Sequence, residues 1–119
     1  MSNQSRPFAA AVRSNAQAAI LDLHGEINGA ADVALAEAFA AAEATGRATI
    51  LLNFADVSYI NSTGIALIVG LLAQARKAKR NLATCNLSDH YVEIFRITRL
   101  SDFMRIAPDE ASALAALDA

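Results

Sequence analysis

From Ala18 to Ile27 apolar and polar side chains alternate, with Leu21 and Leu23 on one side of the chain and Asp22, His24 and Glu26 on the other. A period of two predicts a half-exposed strand, and Gly25 marks a bulge in it. A shorter strand is expected around Phe8 to Val12, after a polar stretch, Met1 to Pro7, that lacks periodicity and reads as a flexible leader. From Ala30 to Thr45 the spacing changes: Ala31, Leu35, Ala38, Phe39 and Ala42 fall on one helical stripe, and Gly46 follows as a left-handed cap. The run Thr49 to Phe54 is almost continuously apolar, as suits a central strand covered on both faces.

The segment Asp56 to Gly64 reads as a loop. Beyond it Ile65, Ile68, Val69 and Leu72 repeat at helical spacing, in a helix that ends in Arg76, Lys77, Lys79 and Arg80. Cations suit a helix C-terminus, so that cluster is most simply a solvated helix end. A strand at Leu82 to Cys85, a helix from about Ser88 to Thr98 and a short strand near Met104 to Ile106 come next. A last helix is expected after Pro108, a residue that sits well at a helix start, with the alanine-rich tail from Ala111 to Ala119 weakly packed.

Strands alternating with helices imply right-handed crossovers and parallel pairing, opened here by an antiparallel N-terminal hairpin. The fold class is α/β: a mixed sheet of about five strands with about four helices packed mainly on one side. With 119 residues there is room for one well-filled core, so residues 8–119 read as a single domain behind a leader at 1–7.

Hydrophobic residues make up 55% of the chain, but many are alanines, so Ile, Leu, Val and Phe carry the core. Ten basic and twelve acidic side chains are mixed along the sequence and give no basic field for nucleic acid. Cys85 stands alone, which rules out an internal disulfide and a cysteine-based zinc site and fits a reducing cytoplasm. The longest apolar run, Ile65 to Ala73, is half a bilayer span. No P-loop or GxGxxG is present, and no cofactor is expected.

The stretch Asp56-Val57-Ser58-Tyr59-Ile60-Asn61-Ser62-Thr63-Gly64 carries the most information. It resembles the STAS domain family, the sulfate transporter and anti-sigma factor antagonist domains, whose pattern here is an Asp, an alternating apolar segment, then Asp-Ser-Ser/Thr-Gly opening a helix. Gly25-Glu26-Ile27-Asn28 is similar to the family's Gly-Glu-Leu-Asp, and Leu87 to Phe103 to its late helix and turn. The resemblance covers about residues 9 to 107 and implies a compact STAS-like fold. In the soluble antagonists the first Ser of the triplet is phosphorylated by a partner kinase that is also an anti-sigma factor, which implies Ser62 as acceptor ahead of Thr63. The implied partners are that anti-sigma factor serine kinase and a resetting phosphatase.

A helix N-terminus leaves amide donors open and carries partial positive charge, so a hydroxyl there caps the helix or, phosphorylated, is accommodated. Both roles stay open for Ser62 and Thr63. Asn28 and Asn61 stand where the family has Asp, and so remove two carboxylates from the expected kinase contact. Asp56 reads either as a loop-opening turn residue or as a recognition group. On the following helix Leu67 and Leu71 pack inward or face a partner, while Ala66, Gly70 and Gln74 leave a flat strip beside Ser62. The expected partner surface is therefore Asn28, Asp56, Asn61, Ser62, Thr63, Gly64, Ala66 and Gly70. His24 and His90 lack metal spacing, and Cys85 reads as core.

The function expected from the resemblance is that of an anti-sigma factor antagonist, which binds the kinase when unphosphorylated and is inactivated by phosphate on Ser62. The alternative is a non-phosphorylated STAS subunit that scaffolds a transporter ATPase or a signalling complex, a reading favoured by Asn61 and Asn28. An enzyme is not expected, since no nucleophile-base pair is visible in the sequence.

Overall fold

The computed structural model describes residues 6–117. Its strands β1 (Ala9–Ser14), β2 (Ala19–Ile27), β3 (Thr49–Ile60), β4 (Asn81–Cys85) and β5 (Arg105–Ala107) form one sheet in the order β1-β2-β3-β4-β5. β1 runs antiparallel to β2, and the remaining neighbours are parallel. The helices are α1 (Asp32–Ala44), α2 (Ser62–Lys77), α3 (Asp89–Ile97) and α4 (Glu110–Leu117), with 3-10 turns at Gly29–Ala31 and Leu100–Asp102.

The alternation in β2 decides which way each side chain faces. Leu21, Leu23 and Ile27 are buried together with Leu35 and Phe39 of α1, Ile68 and Leu72 of α2, and Phe95 of α3. Burying each such side chain contributes about 1.5–3 kcal/mol, so this larger core dominates. On the other face Ile20, Leu51, Ala83 and Cys85 meet Ala113 of α4 in a smaller cluster. Three helices thus cover one face and α4 part of the other. Gly46, at φ +77°, closes α1 as expected.

Three expectations about the elements are corrected. The segment Asp56 to Gly64 is not a loop: β3 continues to Ile60 because β2 pairs with it as far as Ile27, and α2 starts at Ser62. Val69 is 44% exposed, and Leu71 is buried in its stead beside Ile68, Leu72 and Ala75, which centre the inward face of α2. Pro108 does not open the last helix. There the Asp109 carboxylate accepts the Ser112 N–H at 2.7 Å, which makes Asp109 the cap.

Two residues of the expected leader, Arg6 and Pro7, lie against β2. The Glu26 N–H donates to the Arg6 carbonyl at 3.1 Å, and the Pro7 carbonyl presses so close to Gly25 that a Cβ there would lie 2.3 Å from it. Gly25 has φ +82° and sits at a register shift between β2 and β3, the bulge that the sequence suggested. The first five residues of the predicted leader and the last two of the tail lie outside the described residues.

Candidate functional site

The site is built where β3 hands over to α2, through one residue. Asn61 has extended backbone angles and is the N-cap of α2, its side-chain oxygen accepting the Gly64 N–H at 2.8 Å. Its own N–H donates to the Ile27 carbonyl at 3.2 Å, which ties the junction to the end of β2. Four amides are open at a helix start, and these two bonds satisfy those of Asn61 and Gly64. The Ser62 and Thr63 N–H groups remain, with no partner among the described residues.

Asn61, and neither Ser62 nor Thr63, therefore serves as the cap. Asn and Asp are equally good N-caps, so the change from the family's Asp keeps the structural bond and removes only the charge. Asn28 behaves alike: its side chain caps the 3-10 turn by accepting the Ala30 N–H at 2.9 Å. With capping taken by Asn61, the exposed Ser62 hydroxyl has no hydrogen-bond partner among the described residues. Thr63 is exposed as well, with its methyl 3.6 Å from where a Cβ on Gly29 would lie. No acidic side chain occupies the first turn of α2.

Gly64 has a different task from the one the sequence suggested. It is buried, and a Cβ at this position would lie 2.0 Å from the Ile27 carbonyl oxygen. Only a hydrogen lets α2 approach β2 so closely. Gly64 thus sets the approach of the helix and offers no surface to a partner. Ala66 and Gly70 are exposed, and nothing lies within 4 Å of a Cβ built on Gly70, so the flat strip exists. Its far end is tied to α1 by a 3.0 Å bond from the Gln74 amide to Glu43.

Asp56 is neither a turn residue nor part of the junction. It lies on β3, four residues before Ile60 and so about 13 Å along the strand. Its carboxylate accepts from Arg6 at 2.7 Å and lies 2.8 Å from His24 Nδ1. The Arg6 bond, then the His24 bond, holds its pKa below the ordinary carboxylate range. Cys85 is buried, and burial pushes its thiol up to about 11, so it belongs to the core as expected. His90 packs its ring edge on Tyr91, and no cluster of metal-binding side chains occurs among the described residues.

Sequence reasoning missed two tyrosines. The buried Tyr91 hydroxyl of α3 accepts the Ile60 N–H at 2.8 Å and donates to the Ile60 carbonyl at 3.3 Å, pinning the last residue of β3. Tyr59, 53% exposed, borders a cavity of about 390 Å³ beside Ser62 that Ile65, His90, Tyr91 and Ile94 also line. The signal for Tyr59 was its place in an alternating segment, which predicts a strand; Tyr91 reaches β3 from across the fold and left none.

An exposed hydroxyl, two amides without a partner among the described residues and a largely apolar groove thus meet at the start of α2. A family profile for the STAS domain matches residues 9–113. The chain belongs to the STAS domain family. A Staphylococcus epidermidis protein, "Anti-sigma-B factor antagonist", is 36% identical over 61 residues, a match spanning 51% of this chain and only 56% of that relative. Among solved structures, an anti-sigma factor antagonist from Mycobacterium paratuberculosis shares the fold with a TM-score of 0.82 at 18% identity, covering 98% of this chain and all of that one. The Bacillus cell fate determinant SpoIIAA in its phosphorylated form gives 0.69 at 22% identity, covering 92% and 99%. These confirm the STAS-like α/β architecture.

Proposed function

We propose that this STAS domain is an anti-sigma factor antagonist of the cytoplasm: a binding protein, not an enzyme, that sequesters a kinase-type anti-sigma factor while Ser62 is unmodified and releases it once Ser62 is phosphorylated. One observation carries the reading. Ser62 occupies the first turn of α2 with its hydroxyl exposed, and among the described residues neither that hydroxyl nor the amides of Ser62 and Thr63 have a partner. The relatives named as antagonists, and the existence of SpoIIAA in a phosphorylated form, support the same reading.

The mechanism follows from where charge appears. Phosphorylation adds about −1.5 to −2 charges, and the open amides with the helix dipole stabilise an anion there by roughly 0.3–1 kcal/mol. The fold therefore tolerates the phosphate. A partner that covers Ser62 together with Tyr59, Ile65 and Ile94 desolvates that dianion, at a cost of several kcal/mol. Partner exchange results, and a phosphatase resets the protein. Among the described residues no helix is long and apolar enough to cross a membrane.

The scaffold reading drew on the neutral Asn61 and Asn28. Both side chains serve as caps, a task that Asp fills equally well, so the missing charge is still the feature that favours that reading, and a phosphorylation assay decides between the two. To test the proposal, the protein is incubated with its cognate kinase and ATP, then digested and mapped by mass spectrometry. Phosphate is expected on Ser62 in the wild type and nowhere in a folded Ser62→Ala variant; phosphate on Thr63 or Ser58 overturns the assignment.

A further inference from the structure

The far end of α2 bears a second concave region, away from Ser62. One cavity, of about 390 Å³, is lined by Arg76 and Arg80 at the end of α2, by Arg105 of β5, and by Asp102. A second, of about 550 Å³, is largely apolar, with Val69, Leu72, Ala73, Leu100 and Phe103 in its walls. Both are bordered by Leu72, Arg76 and Phe103, so they form one depression with a cationic half and an apolar half.

The three guanidinium groups are incompletely used. Arg76 stacks over the Phe103 ring at 5.0 Å and has no hydrogen-bond acceptor among the described residues. Arg105 reaches only the Ala116 carbonyl, at 3.5 Å. Arg80 donates one bond to the Arg47 carbonyl at 2.8 Å, while its buried Nε is left without a hydrogen bond, 3.7 Å from Glu43. The lining carboxylate, Asp102, is held by Arg99 at 2.5 Å. Cations that merely complement a helix C-terminus account for Arg76 and Arg80. They do not account for Arg105 lining the same cavity from β5, nor for Phe103 standing 53% exposed beside the apolar walls of the second.

We propose that this depression binds a small amphiphilic anion, a phosphate monoester whose alkyl body lies along Val69, Ala73, Leu100 and Phe103 while Arg76, Arg80 and Arg105 hold its head. Guanidinium forks match phosphate oxygens in pairs, and the combined volume suits a small ligand. Apart from Arg76, shared with the cationic half, the polar side chains in the apolar half are Thr98 and Arg99, which favours an alkyl body over a hydrogen-bonding one.

The test is a titration of the ¹⁵N-labelled protein, followed by amide shifts, with octyl phosphate, inorganic phosphate and octan-1-ol as separate probes below any micelle concentration. Octyl phosphate is expected to saturate shifts at Val69, Ala73, Phe103 and Arg105, binding at least about tenfold more tightly than either half-ligand. Replacing Arg76 and Arg105 together by Gln should weaken it by about tenfold or more, the loss expected for charge-assisted bonds. Both side chains are exposed, so the variant keeps its fold. Unchanged affinity in that variant, equal binding of inorganic phosphate, or shifts confined to the Tyr59 groove overturns the proposal. So do concentration-dependent shifts of the same amides without ligand, which identify a second copy as occupant, and shifts caused by the kinase while octyl phosphate is inert.

Discussion

At the C-terminal ends of β2 and β3 the contacts that hold α2 in place are uncharged: the Asn61 cap, the Gly64 approach, and the Tyr91 hydroxyl on Ile60. Toward the other ends of the strands, ion pairs do the holding. Arg13 bridges Asp22 at 2.5 Å and Glu110 at 2.7 Å, which ties α4 to the sheet, and Arg80 approaches Glu43. The difference has a physical meaning. Among the described residues, this junction of neutral amides and close packing has no ion pair for a dianion to break, so under the proposed function phosphate on Ser62 is expected to leave the fold intact.

The sharpest way to break this contrast is to remove a neutral lock. Gly64→Ala forces a methyl to 2.0 Å from the Ile27 carbonyl and should cost about 3 kcal/mol, lowering Tm by about 10 °C or more. Gly70→Ala, six residues along the same helix and open to solvent, should instead raise stability by about 0.5–1 kcal/mol. Paired thermal melts decide it; equal losses would mean that α2 does not seat against β2 through Gly64.

A smaller effect is expected from Tyr91→Phe, which keeps the ring and strands the buried Ile60 N–H. The loss should be about 1–3 kcal/mol in chemical denaturation, with amide exchange fastest at the end of β3. A variant as stable as wild type would show that Tyr91 does not pin the junction.

The charged end should answer to pH. The Asp22 carboxyl is held below its ordinary range by the Arg13 bond first, against the opposing effect of burial, with help from the Asn53 amide. A depressed folded-state pKa means that the stabilisation is complete above the unfolded value, about 3.9, and is lost as pH falls through the folded value. The stability gap between wild type and Asp22→Asn should be present at neutral pH and shrink below about pH 4. A gap that stays constant into acid would contradict the ion-pair account.

Where periodicity was strong, the sequence was a good guide. The α1 stripe, the buried run at the start of β3 and the Gly25 bulge could be read from spacing alone, because side-chain period follows backbone geometry. The β3–α2 junction could not. Its polar residues resemble a loop, and only pairing with β2 through Ile27 shows that the strand runs on to Ile60. Ser62 was legible through a motif, but its freedom depends on Asn61 taking the cap, which is a matter of which neighbouring side chain reaches the Gly64 amide. The convergence of Arg105 with Arg76 and Arg80 left no local trace, since parallel strand order brings distant segments together.

The central claim is that charge on Ser62 controls partner binding and leaves the fold intact. The direct measurement is the affinity of the cognate kinase for the unmodified protein and for protein phosphorylated on Ser62, by calorimetry, with the Tm of each form. Phosphorylation is predicted to weaken binding by about a hundredfold or more, several kcal/mol of desolvation converted to affinity, while Tm stays the same or rises slightly. Equal affinities for the two forms, or loss of binding accompanied by unfolding, would contradict the account.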